Sequence, residues 1–299
     1  MATPPSQNGI PTTTGLSREA GPEDGLGGTS GLLGGEIEIA GTKVSRLGLS
    51  TMHLAGRGSW GEPASRAAAL DLLRTAVHSH RITHLDSSDA YGPHLVEELI
   101  REALAPYPED LLISTKVGMV RPTPNSWAPV GNPAYLRAAV EGSLRRLGVE
   151  SLGLCYLHRI DPEVAFADQI GVLDALRDEG KIRHIGIADA PPEDVRWASH
   201  YARIDVVQSP LNLENRDDPL LDICRVAGIP YVAGQPLCSG ELAEDLTAAL
   251  SWVLDQGDHV AVIPGTSSTT HLKELVQAVA RPLNHPSGTR ITTPGWLTP

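Results

Sequence analysis

From residue 36 onward the chain alternates between two hydrophobic periods. Short apolar runs of strand type occupy 47–51, 82–87, 110–115, 151–157, 182–187, 205–208, 229–233 and 259–263. Between and after them, apolar residues recur at helical spacing over 63–79, 94–105, 133–147, 164–179, 192–200, 219–227, 241–255 and 270–279. Proline opens several of the helical stretches, and Gly180, Gly228 and Gly257 stand just past helix ends. Ahead of this alternation, 36–39 and 43–46 flank Ala40-Gly41-Thr42 and predict a β-hairpin. Eight strands alternating with eight helices predict an α/β fold, a parallel (β/α)8 TIM barrel closed on itself. The open doubly wound sheet is disfavoured because no G-x-G-x-x-G follows the first strand; Gly25–Gly28 lies ahead of it.

The ends read differently. Residues 1–35 are rich in Pro, Gly, Ser and Thr and poor in large apolar side chains, so they are expected to be a disordered tail. Residues 281–299 are Pro- and Thr-rich and are expected to be non-helical. The organised part is therefore expected to span 36–280 of the 299 residues.

Composition narrows the function classes. A net charge of -12 argues against nucleic acid and anionic membrane as partners, and a single Phe leaves little for base stacking. Cys155, Cys224 and Cys238 are odd in number and lack C-x-x-C spacing, so a reducing cytoplasm is the expected location. No apolar run has membrane-spanning length, and the N-terminus lacks the basic-then-apolar order of a signal peptide. His78, His80 and His84 straddle a helix end and a strand, and no metal-ligand spacing is present. No G-x-S-x-G elbow points to a serine hydrolase.

The candidate chemistry sits at strand ends. HLDSSDAYG over 84–92 carries Asp86 and Tyr91, LLISTKVG ends on Lys116 and its glycine, and LGLCYLHRID carries His158. In a parallel barrel, strand ends project to the C-terminal face, where catalysis sits. Carbonyl chemistry gives these residue types a joint purpose. A free phenol, with a pKa of about 10, is a weak acid at neutral pH, and a neighbouring ammonium would lower that value. A carboxylate would hold the ammonium charged, and an imidazole would orient the carbonyl oxygen. Taken one at a time, Asp86 could be a helix cap, Tyr91-Gly92 an ordinary turn, and Lys116 and His158 structural or solvent-exposed.

Together, in this order, these motifs resemble the active-site tetrad of the aldo-keto reductases, over about 36–279. The resemblance implies Tyr91 as general acid, Lys116 and Asp86 tuning it, and His158 orienting the substrate. It implies NADPH as cofactor, with NADH possible, and a small-molecule carbonyl substrate, an aldehyde or ketone. Val262-Ile263-Pro264-Gly265-Thr266-Ser267-Ser268 matches the family's segment for the adenosine phosphate end, at a helix N-terminus suited to an anion. Glu274 matches the acidic residue on adenine, Gln208 the glutamine on the nicotinamide carboxamide, and His271 with Lys273 are the only nearby candidates for a 2′-phosphate. Thr51, Asp189, Gly234 and Leu237 fall at further cofactor positions. Trp60, Arg121 and Trp127 are expected to border the substrate, and the hairpin to plug the barrel. The C-terminal tail, with Trp296, would cross the barrel mouth.

Three departures stand out at the nicotinamide end. Ala188-Asp189 replaces the usual Ser-Asn, Gly234 replaces a stacking aromatic, and the long loop after the seventh strand is missing. They keep a second reading open, a cofactor-independent acid/base enzyme (dehydratase, cyclase or epimerase) on the same barrel and tetrad. A third reading, a non-catalytic regulatory subunit, sits poorly with an intact tetrad.

Overall fold

The computed structural model describes Met1 and residues 32–280. The rest of the predicted tail, and the C-terminal segment with Trp296, lie outside the described residues.

Hairpin strands β1 (Glu36–Ile39) and β2 (Thr42–Ser45) pair antiparallel, Glu36 opposite Ser45 and Ile39 opposite Thr42. Ala40 at φ 51° and Gly41 at φ 70° make the tight two-residue turn that suits strand twist. Then follow β3 (Leu49–Ser50), α1 (Arg66–Arg74), β4 (His84–Asp86), α2 (Leu95–Leu104) and β5 (Leu112–Val117). A small hairpin, β6 (Met119–Val120) and β7 (Ala128–Pro129), precedes α3 (Pro133–Leu147), β8 (Leu152–Leu157), α4 (Phe166–Asp178) and β9 (Ile182–Ala188). The chain continues through α5 (Pro192–Ala198), β10 (Val206–Pro210), α6 (Leu220–Ala227), β11 (Tyr231–Gly234), α7 (Leu246–Leu254), β12 (Val260–Val262) and α8 (Thr269–Val279).

Eight strands form one parallel sheet in the order β3-β4-β5-β8-β9-β10-β11-β12. Bridges Leu47–Val262 and Ser50–Gly265 join its first and last members, with Gly48 N–H on Val262 O at 2.8 Å. The expected barrel is therefore the observed one. Ile37, Ile39 and Val44 of the hairpin pack on Leu112, Leu154, Tyr156, Val206, Val232 and Ala261, one apolar cluster supplied by barrel strands. The hairpin thus plugs the barrel as the resemblance implied, while the larger cluster lies between strands and helices.

Helix ends follow local chemistry. Ser65 Oγ accepts from Ala68 N–H, Asn132 Oδ1 from Ala134 and Tyr135 N–H, and Ser268 Oγ from His271 N–H. Four expectations need correction. The stretch 241–255 is helical only from Leu246, because Asp245 caps Ala248 N–H and two 3-10 turns come before it. The stretch 63–79 ends its α-helix at Arg74 and continues as a π turn, Thr75–Ser79. Strand β5, the run expected over 110–115, extends to Val117, so Lys116 lies within it rather than past it. Residues 32–35, assigned to the tail, are tied to the barrel: Leu47 N–H reaches Leu33 O at 3.1 Å and Arg46 N–H reaches Gly35 O at 3.0 Å. Among the described residues, no helix is long and apolar enough to cross a membrane, and no group of three or more His, Cys, Asp or Glu could hold a metal ion.

Gly186 lies in β9, where an added Cβ would overlap the ring of Tyr156 in the barrel interior. Gly186→Ala is expected to destabilise the fold by about 1–3 kcal/mol through overpacking, read from the urea midpoint. A midpoint unchanged from wild type would mean that the ring yields freely.

His84 is fully buried, its Nε2 3.1 Å from Ser114 Oγ, and burial pushes its imidazole down to about 4. The unfolded chain takes up that proton near pH 6.5, so His84 favours the fold above that pH and loses this contribution as pH falls towards 4. Unfolding free energy should therefore rise between pH 4 and 6.5, and His84→Gln should flatten the rise. Equal slopes in the two proteins would exclude His84 as a source.

Candidate active site

The tetrad candidates converge at the C-terminal ends of neighbouring strands. Asp86 ends β4, Lys116 lies in β5, and His158 directly follows β8. Tyr91 comes from the loop after β4, held by its N–H on Ser88 O at 3.1 Å. Gly92 follows at φ 107°, and a Cβ there would stand 2.5 Å from that of Leu95, so the chain can turn directly after the phenol only with glycine.

Lys116 Nζ donates to Asp86 Oδ2 in a short contact and to Ser87 O at 3.0 Å. Asp86 Oδ1 accepts from Ser114 Oγ at 3.1 Å and from Gln208 Nε2 at 3.0 Å. Lys116 and Asp86 are almost sealed from solvent, and the ammonium lies 5.6 Å from the Tyr91 ring centroid. Burial works against the ammonium, yet Asp86 and Tyr91 outweigh it and hold the lysine above its ordinary value. The phenol departs from expectation. Lys116 pulls it down as anticipated, but burial is the larger effect and leaves Tyr91 above its ordinary value, a group that keeps its proton at neutral pH.

His158 is pushed well below the ordinary imidazole range by burial, and further by Lys116 and Arg159, so it is neutral at pH 7. Its Nδ1 lies 3.1 Å from Ser88 Oγ, which itself accepts from Ala90 N–H. The serine proton has two other acceptors, Lys116 O and Asp89 Oδ1, each at 3.3 Å. Lys116 O already receives Asp89 N–H, and burial, with Glu97 adding, raises the Asp89 carboxyl well above its ordinary range. Nδ1 is thus engaged by Ser88, whereas Nε2 makes no hydrogen bond among the described residues.

One cavity of about 560 Å³ takes in Asp86, Tyr91, Lys116, His158, Trp127, Asp189, Gln208 and Gly234. Trp127 stands edge-on to His158, ring centroids 6.3 Å apart. Two of the substrate-side candidates, Arg121 and Trp60, do not line this cavity. Arg121 gives its N–H groups to the carbonyls of Gly58, Ser59, Pro124 and Ser126, and its guanidinium lies 3.7 Å over Trp127 and 5.6 Å from Trp60. It staples the β3–α1 loop to the β6–β7 hairpin.

The cofactor candidates divide similarly. Thr51 is buried with its hydroxyl on Asp86 O at 3.0 Å, tying two strand ends together, and Leu237 packs on the core. Thr266 is buried and accepts from Ser268 N–H at 3.0 Å. Gly265 sits against His53, whose Nδ1 a Cβ would meet at 2.5 Å. Ser267, His271 and Glu274 are exposed around the N-terminal half of α8, and Ser267 borders a second cavity of about 750 Å³ beside the β3–α1 loop. Gly234 has no backbone need to be glycine: a Cβ there would meet nothing closer than Ser209 O at 3.7 Å.

Sequence reasoning missed Arg159. It lines the main cavity and its Nη1 lies 2.6 Å from Asp189 Oδ2 and 3.1 Å from Asp189 O. Its place directly after His158 in HRID was the available signal.

Comparison with known proteins gives the same assignment. Residues 46–247 match the model of the Aldo/keto reductase family. An uncharacterized oxidoreductase of Schizosaccharomyces pombe is 39% identical over 82% of this chain and 84% of its own. Pyridoxine 4-dehydrogenase of Escherichia coli is 37% identical over 80% of this chain and 91% of its own. A thermostable aldo-keto reductase solved with the inhibitor epalrestat superposes at a TM-score of 0.71 with 26% identity, covering 83% of this chain and 95% of that one. An aldo-keto reductase from Klebsiella pneumoniae, solved with NADPH, shares the fold at a TM-score of 0.69 and 22% identity, over 82% and 89% of the two chains. With the family model spanning most of the barrel and relatives of this identity along it, the chain belongs to the aldo/keto reductase family and is an oxidoreductase.

Proposed function

We propose that residues 36–280 reduce an aldehyde or ketone with a nicotinamide dinucleotide, NADPH by preference. The observation that carries this reading is a sealed Lys116–Asp86 pair beside a protonated phenol, with a neutral imidazole on the same cavity. Asp86, itself held by Ser114 and Gln208, keeps Lys116 charged and in place. Tyr91 holds its proton until negative charge develops on the substrate oxygen; the adjacent ammonium then favours the phenolate left behind. His158, with its proton on Nε2, donates to the same oxygen and fixes its position.

A reduced nicotinamide supplies the hydride when bound. Gln208, Asp189 and Gly234 line the place for its ring end, and Gly265, Thr266 and Ser267 with the N-terminus of α8 suit its phosphates. The Escherichia coli relative named pyridoxine 4-dehydrogenase makes pyridoxal the first carbonyl to try. Buried free thiols at Cys155 and Cys224 suit a reducing compartment, the cytoplasm.

The acid/base reading without a cofactor is favoured by one observation. Asp189, at the position of the carboxamide clamp, is ion-paired to Arg159, and no aromatic stands at Gly234. Titration with NADPH decides between them. Saturable micromolar binding supports the reductase, and no binding at millimolar concentration overturns it.

Tyr91→Phe is expected to lower kcat by about 10²–10⁴-fold, with NADPH affinity within about twofold of wild type. Survival of carbonyl reduction in that variant would exclude Tyr91 as the acid. Ser88→Ala is expected to lower kcat about tenfold without changing NADPH affinity, about one transition-state hydrogen bond. In ¹⁵N spectra the His158 imidazole should then lose its preference for Nε2–H. An unchanged tautomer would show that Ser88 does not set it.

A further inference from the structure

We propose that Arg159 forms an anion subsite on the wall of the reaction cavity, so that the substrate is a carbonyl compound also bearing a carboxylate or another acidic oxygen. This inference rests on the reductase reading and specifies its substrate class.

The two arginines near the barrel mouth are used in opposite ways. Arg121 commits all three nitrogens, and four of its five N–H donors, to loop carbonyls. Arg159 engages Asp189 through Nη1 alone, and its Nε and Nη2 make no hydrogen bond among the described residues. A guanidinium carries five N–H donors in a planar fork, so one carboxylate on Nη1 leaves an edge that matches a second. The charged side chains on the cavity wall, among the described residues, are Asp86, Lys116, Arg159 and Asp189. Lys116 is sealed against Asp86 at 2% exposure, whereas the Arg159 side chain is 41% exposed. Arg159 is thus the cation a ligand in this cavity can reach.

Its position also fits. Arg159 follows the residue that orients the carbonyl, and its charge acts on both Tyr91 and His158. Asp189 holds the guanidinium while kept at φ 49°, a left-handed conformation uncommon for aspartate, its N–H on Gln208 O at 2.8 Å. Burial lowers the guanidinium from its ordinary value, and an arriving anion would offset that loss of hydration.

The test is a matched series: 3- and 4-carboxybenzaldehyde, each against the formylbenzamide of the same substitution. The two isomers vary the span between anion and aldehyde, and each amide keeps shape while removing charge. For at least one isomer, kcat/KM should exceed that of its amide by about tenfold, and Arg159→Met should bring the ratio within about twofold, as loss of a charge-assisted contact requires. Asp189→Asn, which removes the competing carboxylate and keeps the arginine, should raise the ratio. Equal turnover of acids and amides, or a ratio that survives Arg159→Met, overturns the inference and leaves the reductase reading standing. A fall in NADPH affinity in Arg159→Met also overturns it, because the arginine would then serve the cofactor. Calorimetry with benzoate and benzamide is independent of hydride transfer. Benzoate heat that Arg159→Met abolishes supports the subsite even if no aldehyde is reduced, and absence of benzoate heat overturns it.

Discussion

A lysine ammonium inside a barrel is expensive to hold charged, and the Lys116–Asp86 pair is what permits it. Water reaches neither partner, so the carboxylate is the only counter-charge in contact with Nζ, and it is fixed by Ser114 from β5 and Gln208 from β10. Three strands of the ring, β4, β5 and β10, therefore meet at one carboxylate. Without it the ammonium would be an uncompensated buried charge and would shed its proton, and the phenol beside it would lose the group that stabilises its conjugate base. The ionisation of Tyr91 and the packing of the barrel's C-terminal end depend on the same contact.

Around this pair, ionisation is divided by environment. Tyr91 and His158 both face the cavity, and burial keeps both uncharged, the phenol by raising its pKa and the imidazole by lowering it. Two neutral donors on one wall suit an oxygen that acquires charge during reaction, because neither is bound to a counter-ion beforehand. Ser88 Oγ lies 3.1 Å from Nδ1 and engages that nitrogen of the ring.

The cavity rim is built by loops. Arg121 gathers the β3–α1 loop and the β6–β7 hairpin onto its guanidinium and sets Trp127 against His158. Arg159 and its partner Asp189 bring charge to the same cavity wall as Gly234.

The fold, and the meeting of Asp86, Tyr91, Lys116 and His158 on one cavity, were legible in the sequence because both follow from local pattern. Period-two and period-3.6 runs write the alternation of strand and helix, and Asp86, Lys116 and His158 each end an apolar run that must project to one face of a parallel barrel. Glycine after Tyr91 and the caps at Asn132 and Ser268 are local requirements too. What only the tertiary structure decided involves residues far apart in the chain. That Arg121 is a staple and Arg159 a cavity residue depends on which carbonyls the loops bring within reach, and the two arginines look alike in sequence. The net direction of the Tyr91 pKa depended on burial by surrounding elements, which motif spacing does not encode. Sequence fixes which groups are present; the folded environment sets their charge and their partners, because desolvation and hydrogen bonding act through space.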